Sequence, residues 1–433
     1  MAGGTTRLGL AGWLLYDWAN TAFFTVVQTF VFAAYFTRAV AVSETAGTTQ
    51  WAVAITVAGL VVAVAGPVLG AVADRAGARK AWLGGFTALS VSATALLSTV
   101  EPSPKDVLIA LALVGTATVG SEAANVFYNA MLPSLVPEAR IGRVSGWGWA
   151  AGYAGGVLCL VVALTGLIGV DQGRSDAADA ASGVRASMLL VAAWYLLFSL
   201  PLFVFTPDPP SRGVPVTRAV LDGLGTLRAT LRRTWRQGGL VRFLVAHMLY
   251  VDGLGTLFAF GGIYAASTFG LNAGGVALLG IMMTVVAGLG AAAFGWLDDA
   301  IGAKRTLVVS LVGLIAFGIP LLLVRHVTAF WVLTAALAVF VGPVQSASRS
   351  FMARAAPPEL RTQLFGLHAL SGKATAFLGP ALLGVVTAMS GSQRAGMATI
   401  FGFLLAGLFV LWPLPTAEEL RATYTGGAAV DDD

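Results

Sequence analysis

Apolar residues neither alternate along this chain nor keep to one helical face. They run on in stretches of about 20 to 30 residues, broken by short polar turns that carry Gly, Pro or charge. A helix of that length crosses a hydrocarbon core about 30 Å thick. Twelve such spans are predicted, near residues 10–37, 50–73, 81–100, 106–135, 144–170, 185–205, 241–268, 274–297, 305–324, 328–352, 363–390 and 394–414. Only "EPSPKD" and "RHVT" separate the third from the fourth and the ninth from the tenth. A membrane β-barrel would show short alternating segments instead. The predicted class is an all-α polytopic membrane protein with both termini on one side. The first span has only Arg7 ahead of it and is too long for a signal-peptide core, so it is expected to stay in place.

The longest polar interruption divides the pattern into residues 1–205 (six spans), a linker at 206–240, residues 241–414 (six spans) and a tail at 415–433. The linker opens with "TPDPPSRG", which cannot be helical. In the next stretch Val220, Leu224, Leu227, Leu231 and Trp235 recur at helical spacing, with Arg218, Arg228, Arg232, Arg233 and Arg236 on other faces. That pattern predicts a basic amphipathic helix lying on the membrane surface. The end of the tail, "GGAAVDDD", is expected to be disordered.

Composition agrees with the pattern and excludes other classes. The 433 residues are 57% hydrophobic and 11% charged, against roughly 25% charged in soluble domains. A single cysteine, Cys159, rules out an internal disulfide and a Cys-based metal site. No metal cluster, cofactor motif or nucleophile–base arrangement is visible. "LSGKAT" around Lys373 lacks the spacing and the Ser/Thr of a phosphate loop. Neither enzyme chemistry nor a cofactor is therefore expected, and any transport should run on gradients. The net charge of +5 is no nucleic-acid footprint; its distribution across the membrane matters instead. Arg349 and Lys373 fall within spans. Of the remaining 24 basic residues, Arg38, Lys105, Arg174, Arg185, Arg325 and Arg394 lie on one side and 18 on the side of the termini. That bias predicts cytoplasmic termini.

The sequence repeats itself. "GAVADRAGARK" after the second span carries Gly70, Asp74, Gly77, Arg79 and Lys80, and "GWLDDAIGAKR" after the eighth carries Gly295, Asp299, Gly302, Lys304 and Arg305. Both obey G-x3-D-x2-G-x-[RK]-[RK], at an offset of 225 residues. "PEAR" (Pro137–Arg140) and "PELR" (Pro358–Arg361) form a smaller echo, again six spans apart. Two related halves around a midplane site are how many secondary transporters are built. In each motif the first Gly allows close helix approach. The Asp can hold a neighbouring helix terminus or basic side chain, the second Gly allows a tight turn, and the basic pair anchors at the phosphate surface.

With its double motif, six-plus-six plan and central loop, the chain resembles the major facilitator superfamily. "GWLLYDWANTAFF", "NVFYNAMLPSLVPEARIGRVSGWGWAAGYAGG" and "GPVQSASRSFMARAAPPELRTQLFGLHALSGKATAFLGP" are similar to the branch holding the vacuolar amino-acid effluxers linked to autophagy and their bacterial relatives. Two departures stand out: members commonly have an acid near Gln363 and an aromatic near His368. The resemblance implies alternating access and a small-molecule solute.

The charges within spans are the candidate chemistry, since each costs on the order of 2.5 to 3.5 kcal/mol at a span centre. Asp17 shares a helical face with Thr21 and Gln28, with Asn20 adjacent. Thr118, Glu122, Asn125 and Asn129 share a face of the fourth span, with Tyr128 beside it. Such a stripe cannot face lipid, and Glu122 is the leading proton-coupling candidate. Asp252 echoes Asp17 in the seventh span, with Thr256 one turn on and His247 before it. Gln345 and Arg349 in the tenth span and Lys373 in the eleventh complete the set. Each charge has a structural alternative: a helix cap or fixed ion pair, and for Arg349 snorkelling to the surface. Gly148, Gly152 and Gly156 form a close-packing face, flanked by Trp147 and Trp149.

The expectation is a twelve-span, proton-coupled exporter of amino acids or similar zwitterions. It should work as a monomer among membrane lipids in a bacterial plasma membrane, the location being read from 22 Arg against 4 Lys. The alternatives are an exporter of amphiphilic drugs or lysolipids, and a non-transporting sensor or scaffold on the same fold.

Overall fold

Hydrocarbon offers no partner to a backbone N–H or C=O, so a long apolar run must close on itself as a helix. The computed structural model describes residues 6–77, 79–169, 177–208, 230, 232, 234–235 and 238–426. Among these, twelve helices are long and apolar enough to cross a membrane. They are Arg7–Val40, Glu44–Arg75, Arg79–Thr99, Pro104–Leu135, Glu138–Ile168, Ala180–Phe205, Gly239–Phe269, Gly274–Ile301, Ala303–Leu323, Val327–Ala355, Pro358–Ser390 and Gln393–Leu411, called spans 1 to 12. A terminal helix, Ala417–Gly426, follows. No strand occurs among the described residues. The linker helix expected at 218–236 falls outside them except at residues 230, 232 and 234–235, and so does the tail after Gly426.

Local chemistry sets the span ends. The side chains of Thr6, Asn272 and Ser392 accept N-terminal N–H groups from Gly9, Gly275 and Ala395. Two spans are irregular near their middle. Span 1 is wound as a π-helix over Phe23–Phe30, with the Val31 N–H donating to Val26 O at 2.9 Å; such windings cluster at functional sites. Span 11 is two half-helices, Arg361–Lys373 and Leu378–Ser390, joined by turns at 374–377.

The chain packs as two compact units. One holds residues 1–64, 77–131 and 151–212; the other holds 65–76, 132–150 and 213–433. The core of the first is aromatic. Tyr128 stacks between Trp13 and Tyr16 at centroid distances of 4.5 and 5.0 Å. The Tyr16 hydroxyl is shared with Thr87 at 2.7 Å and with Tyr195 at 2.9 Å. In the second unit Phe243 stacks on Phe351 at 4.2 Å and Phe269 on Phe330 at 4.3 Å. Large side chains such as Leu108, Met389 and Phe409 point outward, as lipid-facing residues should.

Candidate functional site

In the first unit, spans 1 and 4 meet along their polar stripes. The Asn20 amide donates to Asn125 Oδ1 at 2.9 Å and the Gln28 amide to Thr118 Oγ1 at 2.6 Å. Asp17, Thr21, Glu122, Asn125 and Asn129 are all half-buried, whereas Tyr128 is fully buried within the aromatic stack. Span 5 closes in through small residues. A Cβ at Gly152 would lie 2.6 Å from Thr21 Oγ1, and one at Gly156 2.5 Å from Thr25 Oγ1. The polar face of spans 1 and 4 thus carries two carboxylates and four amide side chains, a surface able to bind a proton and orient a polar solute.

The first motif ends in this unit. Gly77 turns the chain at φ 72°, a left-handed conformation that suits glycine. The Lys80 N–H then donates to Asp208 Oδ2 at 3.1 Å, and Nζ donates to Thr206 O at 2.7 Å. Burial pushes the Asp208 carboxyl above its usual range, against the pull of Lys80 and Arg79. Arg79 is itself buried. That corrects its expected role as a surface anchor, because a buried guanidinium cannot reach phosphate.

In the second unit the repeats become partners. Asp74 sits at the N-terminus of span 11: Oδ1 accepts from the Thr362 N–H at 3.2 Å and its hydroxyl at 2.6 Å, and Oδ2 from the Gln363 N–H at 3.0 Å. Asp299 does the same at span 5, accepting from the Gly142 N–H at 2.9 Å and from Arg143 Nε at 3.1 Å. The "PEAR" and "PELR" echoes are the 3-10 turns that open those two spans. Each therefore presents free N–H groups and a positive helix end to the motif carboxylate. The motif glycines permit the approach. A Cβ at Gly70 would lie 2.5 Å from Thr362 O, and one at Gly295 2.9 Å from Arg143 Cα.

Three residues not singled out from the sequence complete this end of the unit. Arg354 pairs with Asp298 and, at 3.3 Å, with Asp299; Ser350 donates to Asp298 at 3.0 Å. Adjacent "DD" at 298–299 and two arginines five residues apart on span 10, Arg349 and Arg354, were the available signal. The terminal helix adds Glu418, 3.7 Å from Arg354, and Arg421, 3.0 Å from Glu138.

Arg349 does not snorkel. It is buried, donates to Ser145 Oγ at 2.9 Å and Ser145 O at 2.6 Å, and lies 5.7 Å over the Trp149 ring. Gln345, one turn before it, is half-buried. Asp252 accepts the Gly379 N–H of span 11 on both oxygens at 3.2 Å. Lys373 is the last residue of the preceding half-helix. The His247 and His368 rings meet at a tilt with centroids 3.9 Å apart, and the Nδ1 of His247 shares a hydrogen bond with Ser371 at 2.8 Å. His368 also stacks near Phe243, as an aromatic residue would. The Gln363 backbone N–H is held by Asp74, while its side-chain Oε1 accepts from Thr230 Oγ1 at 3.4 Å. Among the described residues no group of three or more His, Cys, Asp or Glu could hold a metal ion.

Comparison with known proteins adds to this geometry. The family profile described as "Vacuole effluxer Atg22 like" matches residues 44–423. The MFS-type transporter YxiO of Bacillus subtilis is 27% identical, over 93% of this chain and 94% of its own length. Autophagy-related protein 22-1 of Neosartorya fischeri is 22% identical over 63% of this chain and 47% of its own, so the chain spans about half the length of that relative. Among solved structures, the transporter FucP in its outward conformation superposes with a TM-score of 0.74 at 12% identity, covering 94% of this chain and 98% of that one. The proton:xylose symporter XylE gives 0.70 at 14%, covering 96% and 98%. At those identities the likeness concerns the fold alone.

Proposed function

The chain belongs to the Atg22-like vacuole effluxer family, as an MFS-type transporter in an integral membrane fold and not an enzyme, and from that premise we propose that it exports amino acids or similar zwitterions by proton-coupled alternating access. The observation that carries the reading is the half-buried polar face of spans 1 and 4, where Asp17 and Glu122 flank the Asn20–Asn125 hydrogen bond. Carboxylates at that depth are retained where they bind protons or a cationic group. Lys373 is the cation offered to a carboxylate. The resemblance seen in the sequence points to amino acids as the solute, the excess of Arg and Lys on the terminal side to cytoplasmic termini, and the 22 Arg against 4 Lys to a bacterial plasma membrane. Asp74 and Asp299 would hold the cytoplasmic gate shut by capping spans 11 and 5, and release it as the carrier changes state.

Counterflow in proteoliposomes tests this. Vesicles preloaded with a mixed amino-acid pool are offered labelled leucine and tyrosine, with Glu122→Gln made in parallel. Accumulation above empty vesicles is expected, and exchange should survive in the variant while uphill transport does not. Failure of folded protein to accumulate either label would overturn the amino-acid reading in favour of amphiphile export.

A further inference from the structure

Span 11 is broken halfway along, and an acid stands at the break. Pro380 has no N–H to give to the preceding turn, and residues 374–377 turn between the two half-helices. Each half then ends in mid-span with backbone groups that need partners. The second half-helix directs its Gly379 N–H at Asp252 of span 7, which receives it at 3.2 Å on each oxygen. A side chain at 379 would collide with Thr256 Oγ1 and lie 2.9 Å from Asp252 Oδ1, so glycine lets the helix end reach the acid. Lys373 closes the first half-helix, where the partial negative charge favours a cation. The acid of span 7 and the lysine of span 11 thus each sit on the half-helix end of opposite sign.

Charged groups on the surrounding spans are engaged elsewhere. His247 is bonded to Ser371 and packed against the His368 ring. Arg349 of span 10 donates to Ser145, Asp298 of span 8 is paired with Arg354, and Arg394 of span 12 donates to Val324 O. Among the described residues the Gly379 N–H is the one donor recorded on the Asp252 carboxylate. Its hold on span 11 therefore depends on its own charge.

We propose that Asp252 is a proton-operated latch on a two-state eleventh span. Ionised, it grips the second half-helix by its N-terminus. Protonated, it loses the charge that the helix end attracts, and the break is freed to rearrange with Lys373 beside it. The consequence for transport rests on the carrier reading above, but the latch is testable without any solute.

The native thiol, Cys159, is buried, so a cysteine placed by Thr375→Cys reports on the break. Its rate of reaction with N-ethylmaleimide, normalised to the denatured protein at each pH, should rise about tenfold between pH ~8 and pH ~5.5, as expected for the loss of one charge-assisted hydrogen bond. With Asp252→Asn added, labelling should be fast and independent of pH; with Asp252→Glu, which keeps a carboxylate, the pH response should persist. No pH response in the native background, its full retention beside Asp252→Asn, or its loss in folded Asp252→Glu protein each overturns the latch. Failure of amino-acid counterflow would leave these outcomes untouched.

Discussion

Replacing Asp74 by asparagine keeps the shape of the side chain and removes what the N-terminus of span 11 attracts. In the native chain one oxygen accepts from Thr362 N–H and hydroxyl, the other from the Gln363 N–H at 3.0 Å. Asparagine keeps one oxygen and turns an NH2 group toward a donor. A hydrogen bond to a charged group contributes about 1.5 to 3 kcal/mol, and a stranded buried N–H costs about 1 to 3 kcal/mol. A partly buried helix end adds up to ~2 kcal/mol for an anion. These overlap, so a loss of about 2 to 3 kcal/mol is expected, on the order of 30- to 150-fold in the population of the capped state. Amide hydrogen exchange reads this directly. In Asp74→Asn the Thr362 and Gln363 amides should exchange at least about thirtyfold faster, while the Gly142 amide, held by Asp299, stays as protected as before. Asp299→Asn should invert the pattern. Unchanged protection of Gln363 in folded protein would refute the assignment of Asp74 as the cap.

Three further outcomes follow from contacts of the same end. Gly70→Ala and Gly295→Ala should each lower the melting temperature, at a cost of about 1 to 3 kcal/mol, because the added Cβ meets backbone at 2.5 and 2.9 Å; unaltered melting would deny the close approach. Arg354→Met alone strands the buried Asp298 and should cost about 3 to 5 kcal/mol, while Arg354→Met with Asp298→Leu should cost less, so equal losses in thermal unfolding would argue against a coupled pair. Glu419 accepts the Thr416 N–H at 2.8 Å, which holds its carboxyl below the usual range. A depressed pKa gives stability present above the unfolded value of about 4.3 and lost as pH falls. The terminal helix should therefore lose amide protection in acid, and Glu419→Gln should flatten that dependence.

The spans were legible because a membrane leaves the backbone few choices, and run length alone then marks each helix. The repeat was legible too, with a charge, two glycines and a basic pair at fixed spacing. Its meaning was not. Asp74 and Thr362 are 288 residues apart, and nothing local says that a motif closing span 2 caps the start of span 11. Burial is equally hidden: the sequence allows Arg349 to snorkel, yet Ser145 holds it inside, and it allows Arg79 to anchor at the surface, yet Arg79 is buried. The break in span 11 had its signal in "LGP", yet an isolated proline in a membrane helix is often absorbed without a break, as at Pro320 and Pro343. Asp252 at that break shows why composition alone misleads, since a mid-span acid that looks like a solute ligand also satisfies a helix end.

The two caps are alike in sequence and alike in geometry. Asp74 accepts two backbone N–H groups and a hydroxyl at the start of span 11. Asp299 accepts the Gly142 N–H at the start of span 5 and pairs with Arg143 and Arg354, and Arg354 is also held by Asp298 and approached by Glu418 of the terminal helix. Opening at Asp299 must therefore separate several buried charges at once. Truncation before Ala417 removes Glu418 from that network and should loosen it. The Gly142 amide should then exchange faster, while the Gln363 amide, held by Asp74, keeps its native rate. Unchanged protection of Gly142 in folded, truncated protein would mean that the terminal helix takes no part in the Asp299 cap.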